Sequence, residues 1–152
     1  KLIHRSGRTK HLINRELGFL NYFINNNSPV NVIQMEIGLA DPQELENTLN
    51  QVFGENQNIK GVFVANSRTY KVAEYLEKKK RTDVHLVGFD LIEKNKEYLE
   101  KGIIDFLICQ KPEEQGYNGI KAMFNSLVAK TKAPRVNFSP IDIIMKENMK
   151  YY

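Results

Sequence analysis

The sequence predicts an α/β fold built on an open, mostly parallel, doubly wound sheet. Two observations carry that expectation. Short apolar runs rich in β-branched residues alternate along the chain with segments whose apolar residues recur at helical spacing. The stretch Val84–Gln110 states the pattern once in full. An apolar run, Val84–Val87, stops at Gly88-Phe89-Asp90; a Glu- and Lys-rich segment, Glu93–Lys101, is closed by Gly102; a second apolar run, Ile103–Cys109, ends at Gln110-Lys111-Pro112. Strand, turn, helix, turn and strand make a βαβ unit. Its crossover is right-handed, and the carboxyl ends of its strands share one edge of the sheet.

The elements follow in order. Lys1-Leu2-Ile3 reads as the tail of a strand and Ser6-Gly7-Arg8-Thr9 as a polar turn. From Lys10 to about Asn25, Leu12, Ile13, Leu17, Leu20, Phe23 and Ile24 recur at helical spacing, and Asn25–Pro29 ends that helix. Val30–Ile37 is the next strand. Asp41-Pro42-Gln43-Glu44 is a helix start, with a capping side chain, proline at the first helical position and Glu three after the cap. Leu45, Leu49, Val52 and Phe53 give its buried stripe and Gly54 its end. Lys60–Ala65 is a third strand, followed by a helix to about Lys80 with Val72, Ala73, Leu76 and Tyr75 inward. After the βαβ unit, Pro112 starts a helix to about Lys130, with Ile120, Met123, Phe124 and Leu127 on one face. Pro134–Met145 holds one more extended segment, broken by Pro140, and Glu147–Tyr152 is a polar and aromatic tail.

Composition narrows the function classes. The 152 residues suffice for one ordinary domain or two small lobes, and 41% hydrophobic with 26% charged residues is usual for a globular chain. The net charge of +4 is mild and scattered, and the run Lys78-Lys79-Lys80-Arg81 reads as a solvated helix end rather than a nucleic-acid patch. A single cysteine, Cys109, excludes an internal disulfide and a cysteine-rich zinc site, and its strand position suits a buried, inert thiol. No apolar run approaches the roughly 18 residues of a membrane helix. The chain begins at Lys1 and not Met, so the lack of a visible signal peptide decides nothing. His4, His11 and His85 are scattered without a Ser or Cys partner, and neither a zinc-binding HExxH, a P-loop nor GxGxxG occurs. No enzyme, catalytic residue, metal or cofactor is expected. A phospho-receiver fits poorly, because Asp90 and Lys111 are only one βαβ unit apart.

What remains is a binding site. Asn66, Asp90 and Gln110 each follow a predicted strand, and Arg15 lies in the first helix just before Gly18-Phe19. Arg offers a planar fork of donors, Asp accepts hydroxyl hydrogens, and Asn and Gln do both. Such a set suits a small neutral ligand with many hydroxyls, with Phe89 and Tyr70 available to stack on its apolar face. Each residue also has a structural reading. Asp90 and Asn66 could cap the helices that follow them, Gln110 could be solvated, and Arg15 could pair with a surface carboxylate.

RELGF at Arg15–Phe19, FVAN at Phe63–Asn66, DVHLVGFD at Asp83–Asp90 and ICQKPEEQG at Ile108–Gly116 occur in an order and spacing that resemble a known family. It is the effector-binding region of lactose-repressor-type transcription regulators, shared with the type I periplasmic sugar-binding proteins. The resemblance implies the C-terminal lobe of a type I periplasmic-binding-protein-like fold. It implies ligand contacts from Arg15, Asn66, Asp90 and Gln110. Two departures stand out: Asn66-Ser67 where the family commonly has Asn-Asp, and Leu107-Ile108-Cys109 before the glutamine in place of Thr-Thr. The resemblance further implies that residues 1–110 form the second lobe, that 111–133 is a helix belonging to the first lobe, and that 134–152 is a return strand and tail. It implies a cytoplasmic homodimer with a sugar-like effector, DNA contact only through an N-terminal region outside this chain, and no membrane partner. The alternative is a periplasmic sugar-binding protein of an ABC transporter. On either reading, the helix after Pro112 is parted from its native sheet. Its apolar face is expected to pack back on this lobe or against a neighbouring copy.

Overall fold

Five strands, β1 (Leu2–Arg5), β2 (Ile33–Glu36), β3 (Gly61–Val64), β4 (His85–Phe89) and β5 (Phe106–Cys109), alternate with four helices. These are α1 (Lys10–Asn25), α2 (Pro42–Glu55), α3 (Thr69–Lys78) and α4 (Glu93–Glu100). A fifth helix, α5 (Pro112–Leu127), leaves the sheet, and β6 (Asp142–Ile144) returns to it. The structure, a computed structural model, describes residues 2–5, 9–36, 41–132, 134 and 136–152. The strands lie in the order β2-β1-β3-β4-β5-β6; β1 to β5 are parallel and β6 is antiparallel to β5. This is the doubly wound α/β sheet the sequence predicts. The order reverses at β1, which places a topological switch point at the carboxyl ends of β1 and β3.

The two faces of the sheet are covered unequally. On one, Val62, Val64, Leu86, Leu107 and Ile144 pack with Leu45, Leu49, Val52 and Phe53 of α2, Val72, Ala73, Tyr75 and Leu76 of α3, and Tyr98 and Leu99 of α4. Leu49, Leu76, Leu86, Leu99 and Leu107 are fully buried, each contributing about 1.5–3 kcal/mol over an exposed position. On the other face Phe63, Ala65 and Phe89 form a smaller cluster with Phe19 and Leu20 of α1. Phe19 stacks on Phe63 with ring centroids 4.4 Å apart. Close packing of α3 on β4 depends on Gly88, where a Cβ atom would fall 1.9 Å from Oγ1 of the buried Thr69. That contact brings the start of α3 against the end of β4.

Several boundaries differ from the sequence expectation, each for a local reason. β2 is confined to Ile33–Glu36, and Val30 is exposed; Ile37 lies outside the described residues, as do Lys1 and residues 6–8 of the expected turn. Gly54 lies inside α2, which instead ends at Asn56, whose backbone N–H and side-chain amide both donate to Val52 O at 3.0 Å. Asp41 does cap α2, accepting from Gln43 N at 2.8 Å. β4 runs on through Gly88 and Phe89, which pair with Leu107 and Ile108. β5 begins only at Phe106. Ile103 and Ile104 belong to the end of α4, both donating to Tyr98 O after Gly102 takes φ +73°. The basic run after α3 is drawn into ion pairs, Lys78 and Lys79 with Glu46 and Arg81 with Asp83.

α5 buries none of its residues, and Ile120, Met123, Phe124 and Leu127 are all more than half exposed. It projects from the sheet and does not pack back on this lobe, which corrects one of the two expected resolutions. The reason is visible at its root. β6 pairs with β5 beside the point where α5 departs, and Lys111 Nζ lies 3.0 Å from Asp142 Oδ2 across the two crossings.

Candidate functional site

Parallel pairing of β3, β4 and β5 puts Asn66, Asp90 and Gln110 past neighbouring strand ends, on one edge of the sheet. Asp90 is the centre of the group. Its N–H continues the ladder to Ile108 O at 3.0 Å, and its φ of +67° is left-handed. Aspartate tolerates that region better than most residues, yet it still costs free energy and must be held. Gln110 Nε2 donates to Asp90 Oδ1 at 3.3 Å. The next residue, Lys111, is also left-handed at φ +52°, which turns the chain into α5.

Arg15 comes from α1. Its Nη1 donates to Ala65 O at 2.7 Å, just past β3, and its guanidinium lies over Phe89, with Cζ 3.7 Å from the ring centroid. Burial draws the Arg15 pKa below its ordinary value, while the negative charge of Asp90 opposes the shift. A guanidinium stays protonated regardless. The pair therefore presents opposite charges to a shared region. Among the described residues Arg15 makes no ion pair with a surface carboxylate, and Asp90 does not cap α4, whose capping position is Ile92 without a side-chain bond. Asn66 closes a turn before α3 rather than capping it: its Oδ1 accepts from Arg68 N at 2.8 Å, and the cap position Arg68 carries no side-chain bond. Phe89 stacks under Arg15, but Tyr70 does not join the group; it lies on the α2–α3 side with Lys94 above its ring.

A cavity of about 800 Å³ opens at this edge, lined by Ser67, Asp90, Leu91, Lys111, Pro112 and Tyr151 among others. Of the four expected ligand residues only Asp90 lines it. A second, apolar cavity of about 810 Å³ lies on the α1 face beside Phe19, between Phe63, Val87 and Ile108 and the strand starts at Gly61, His85 and Phe106. At that opposite edge His85 pairs with Asp105 through Nδ1 at 2.8 Å, so it takes no part in the candidate site. Cys109 is buried, as its strand position suggested. Among the described residues no cluster of His, Cys, Asp or Glu could hold a metal, and no helix is long and apolar enough to cross a membrane.

Sequence reasoning missed Asn95. It sits in α4 between two lysines and is fully buried. Its Nδ2 donates to Ser67 O at 3.0 Å, Phe89 O at 3.1 Å and Asp90 O at 2.9 Å, while its Oδ1 accepts from Tyr70 N at 2.8 Å. The one available signal was an uncharged residue flanked by Lys94 and Lys96, four positions before Leu99 and so on the same helix face.

With the geometry established, comparison with known proteins is informative. Residues 5–131 match a family model described as a periplasmic binding protein domain. Among solved structures, a Bacteroides fragilis protein assigned to the LacI transcriptional regulators superposes with a TM-score of 0.91 at 32% identity, over 99% of this chain and 54% of that one. The glucose-galactose binding protein GanP of Geobacillus stearothermophilus gives 0.82 at 21% identity, over 97% and 53%. The sugar-binding protein of a sugar ABC transporter from Bacillus halodurans gives 0.85 at 20%, over 99% and 56%. The last two likenesses bear on the fold alone. The chain thus spans about half the length of these structures. Among curated proteins, no sequence match is found.

Proposed function

Because this chain belongs to the periplasmic binding protein domain family, its residues 5–131 matching that family, we propose that it is the second lobe of a sensing domain for a sugar or similar small polar effector. The observation that carries this reading is the grouping at the carboxyl edge. Asp90 is hydrogen-bonded to Gln110, and Arg15 is anchored at Ala65 O, where it feels the negative charge of Asp90. Acceptor, amide and guanidinium brought together at one edge match a small ligand with several hydroxyls. Arg15, Asn66, Asp90 and Gln110 are the proposed ligand residues. They bind and orient; none is assigned chemistry on the ligand.

The regulator is preferred over the transporter component. The 32% identity to the Bacteroides fragilis protein over nearly this whole chain supports it. On this reading the protein is a cytoplasmic homodimer. Effector closes a first lobe over this one, and the change in lobe geometry biases a DNA-reading domain elsewhere in the longer protein. α5 then belongs to the first lobe, which covers its apolar face. The periplasmic sugar carrier is the second reading, favoured by the shared fold of GanP and the Bacillus halodurans protein.

Calorimetry on a two-lobed protein containing this chain tests the proposal with D-ribose, D-arabinose, D-glucose and D-galactose. At least one sugar is expected to bind, and Asp90→Ala to weaken it about a hundredfold while the protein remains folded. No binding across the panel, or unchanged affinity in the variant, overturns the assignment.

A further inference from the structure

We propose that Asn95 is the positioning residue of the site, a clasp that holds Asp90 in its left-handed backbone and fixes the Asn66-Ser67 turn beside it. The inference rests on the site assignment above. All four of its hydrogen bonds leave its own helix. Three go to carbonyls of two separate turns, Ser67 after β3 and Phe89 and Asp90 after β4. The fourth takes the N–H of Tyr70 in the first turn of α3. That helix has no side-chain cap of its own at Arg68, so Asn95 supplies one from a different helix. Its carboxamide thereby joins three elements through one fully buried side chain.

The consequence falls on Asp90. Its N–H is held by Ile108 O at 3.0 Å and its carbonyl by Asn95 Nδ2 at 2.9 Å. Fixing the peptide units on both sides of one residue fixes its φ and ψ, and so the direction in which its carboxylate leaves. Without the Asn95 contact nothing described on the carbonyl side opposes relaxation from φ +67° toward an ordinary conformation. The same amide holds Ser67 O, one residue past Asn66. The spacing between the Asn66 and Asp90 turns is therefore set by the reach of a single side chain.

The test is made on this 152-residue chain by NMR, with Asn95→Ala and Asn95→Asp beside a stability control, Leu99→Ala. Leu99 is fully buried on the same helix and touches neither turn through a hydrogen bond. Asn95→Asp keeps the acceptor for Tyr70 N–H and loses the donors to the three carbonyls. The readout is the intraresidue amide-to-Hα cross-peak of Asp90, which is strong only at positive φ. It is expected to weaken in both Asn95 variants and to persist in Leu99→Ala, with amide exchange at Ser67 and Asp90 rising at least tenfold only in the Asn95 variants. A retained Asp90 cross-peak in a folded Asn95→Ala, or the same loss in Leu99→Ala, overturns the proposal. Titration with D-galactose separates this from the site assignment. Failure of the sugar to perturb Asp90 or Gln110 in an unmutated two-lobed protein containing this chain counts against the ligand, while the cross-peak in the 152-residue chain still decides the clasp. If the sugar does perturb them, affinity is expected to fall about tenfold in Asn95→Asp and to hold in Leu99→Ala.

Discussion

At the scale of single residues, the site trades backbone comfort for the placement of a carboxylate. Asp90 stands at φ +67°, a region that costs a residue with a Cβ about 1–2 kcal/mol relative to its ordinary conformations. Alanine there keeps the strain and loses the carboxylate; glycine loses both. Asp90→Ala is therefore expected to be less stable than Asp90→Gly by about 1 kcal/mol in urea melts, although both lack the group that meets Gln110. Equal stability of the two would mean that Asp90 relaxes out of the left-handed region when its side chain is removed. That the aspartate, Gln110 and Arg15 share one sheet edge was legible from residue type and position after a strand or before Gly-Phe; their part in binding is the proposal. The clasp beneath them was not legible. Asn95 lies in a run of Glu, Lys and Tyr that reads as a solvated face, and its burial arises from two turns distant in sequence, at Ser67 and Asp90.

At the scale of elements, the sequence was most legible where hydrogen-bonding partners are local. Asp41 and Pro42 mark the start of α2, and Gly102 marks the end of α4. The short apolar runs were harder, since Ile103-Ile104 and Phe106–Cys109 are continuous in composition but divide between a helix end and a strand. β6 was the least legible, because its pairing with β5 depends on a return across the α5 excursion. A strand of three residues at the sheet edge has few ladder bonds, and Asp142 adds to them. Lys111, and then the Tyr152 hydroxyl, hold the Asp142 carboxyl below its usual range, while Asp142 raises the Lys111 pKa. A depressed carboxyl pKa gives stability that is present above the unfolded value of about 3.9 and is lost as pH falls through the lower folded value. The raised lysine gives stability that is present below its ordinary range and is lost only at strongly alkaline pH. Between those limits β6 is expected to keep its amide protection. Asp142→Asn should expose Ile143 and Ile144 to faster exchange at neutral pH and remove the acid limb of that dependence, leaving β3 and β4 unchanged. An unaltered pH profile of β6 protection in the variant would show that the ion pair does not hold the strand.

At the scale of the whole molecule, the sheet is finished on one side and unfinished on the other. Among the described residues three helices cover one face and α1 alone serves the other, beside an apolar cavity of about 810 Å³. α5 carries Ile120, Met123, Phe124 and Leu127 at 66%, 58%, 56% and 69% exposure. Those four make a stripe at helical spacing along about two turns of the helix, which is the pattern of a face made to be covered. Its root is fixed at the carboxyl edge by β6 and Lys111, whereas the apolar cavity opens toward the strand starts, so the helix cannot swing onto its own sheet without breaking that anchor. The chain taken alone should therefore expose apolar surface without being unstable, because α5 adds nothing to the core. Ile120→Lys with Phe124→Lys is expected to leave the free energy of urea unfolding within about 0.5 kcal/mol of the unmutated chain. The same pair should lower binding of a hydrophobic dye and shift sedimentation toward the monomer at high concentration. A large loss of stability in that double variant would mean instead that α5 is part of the folded core, and the division of this chain into a lobe and a departing helix would be wrong.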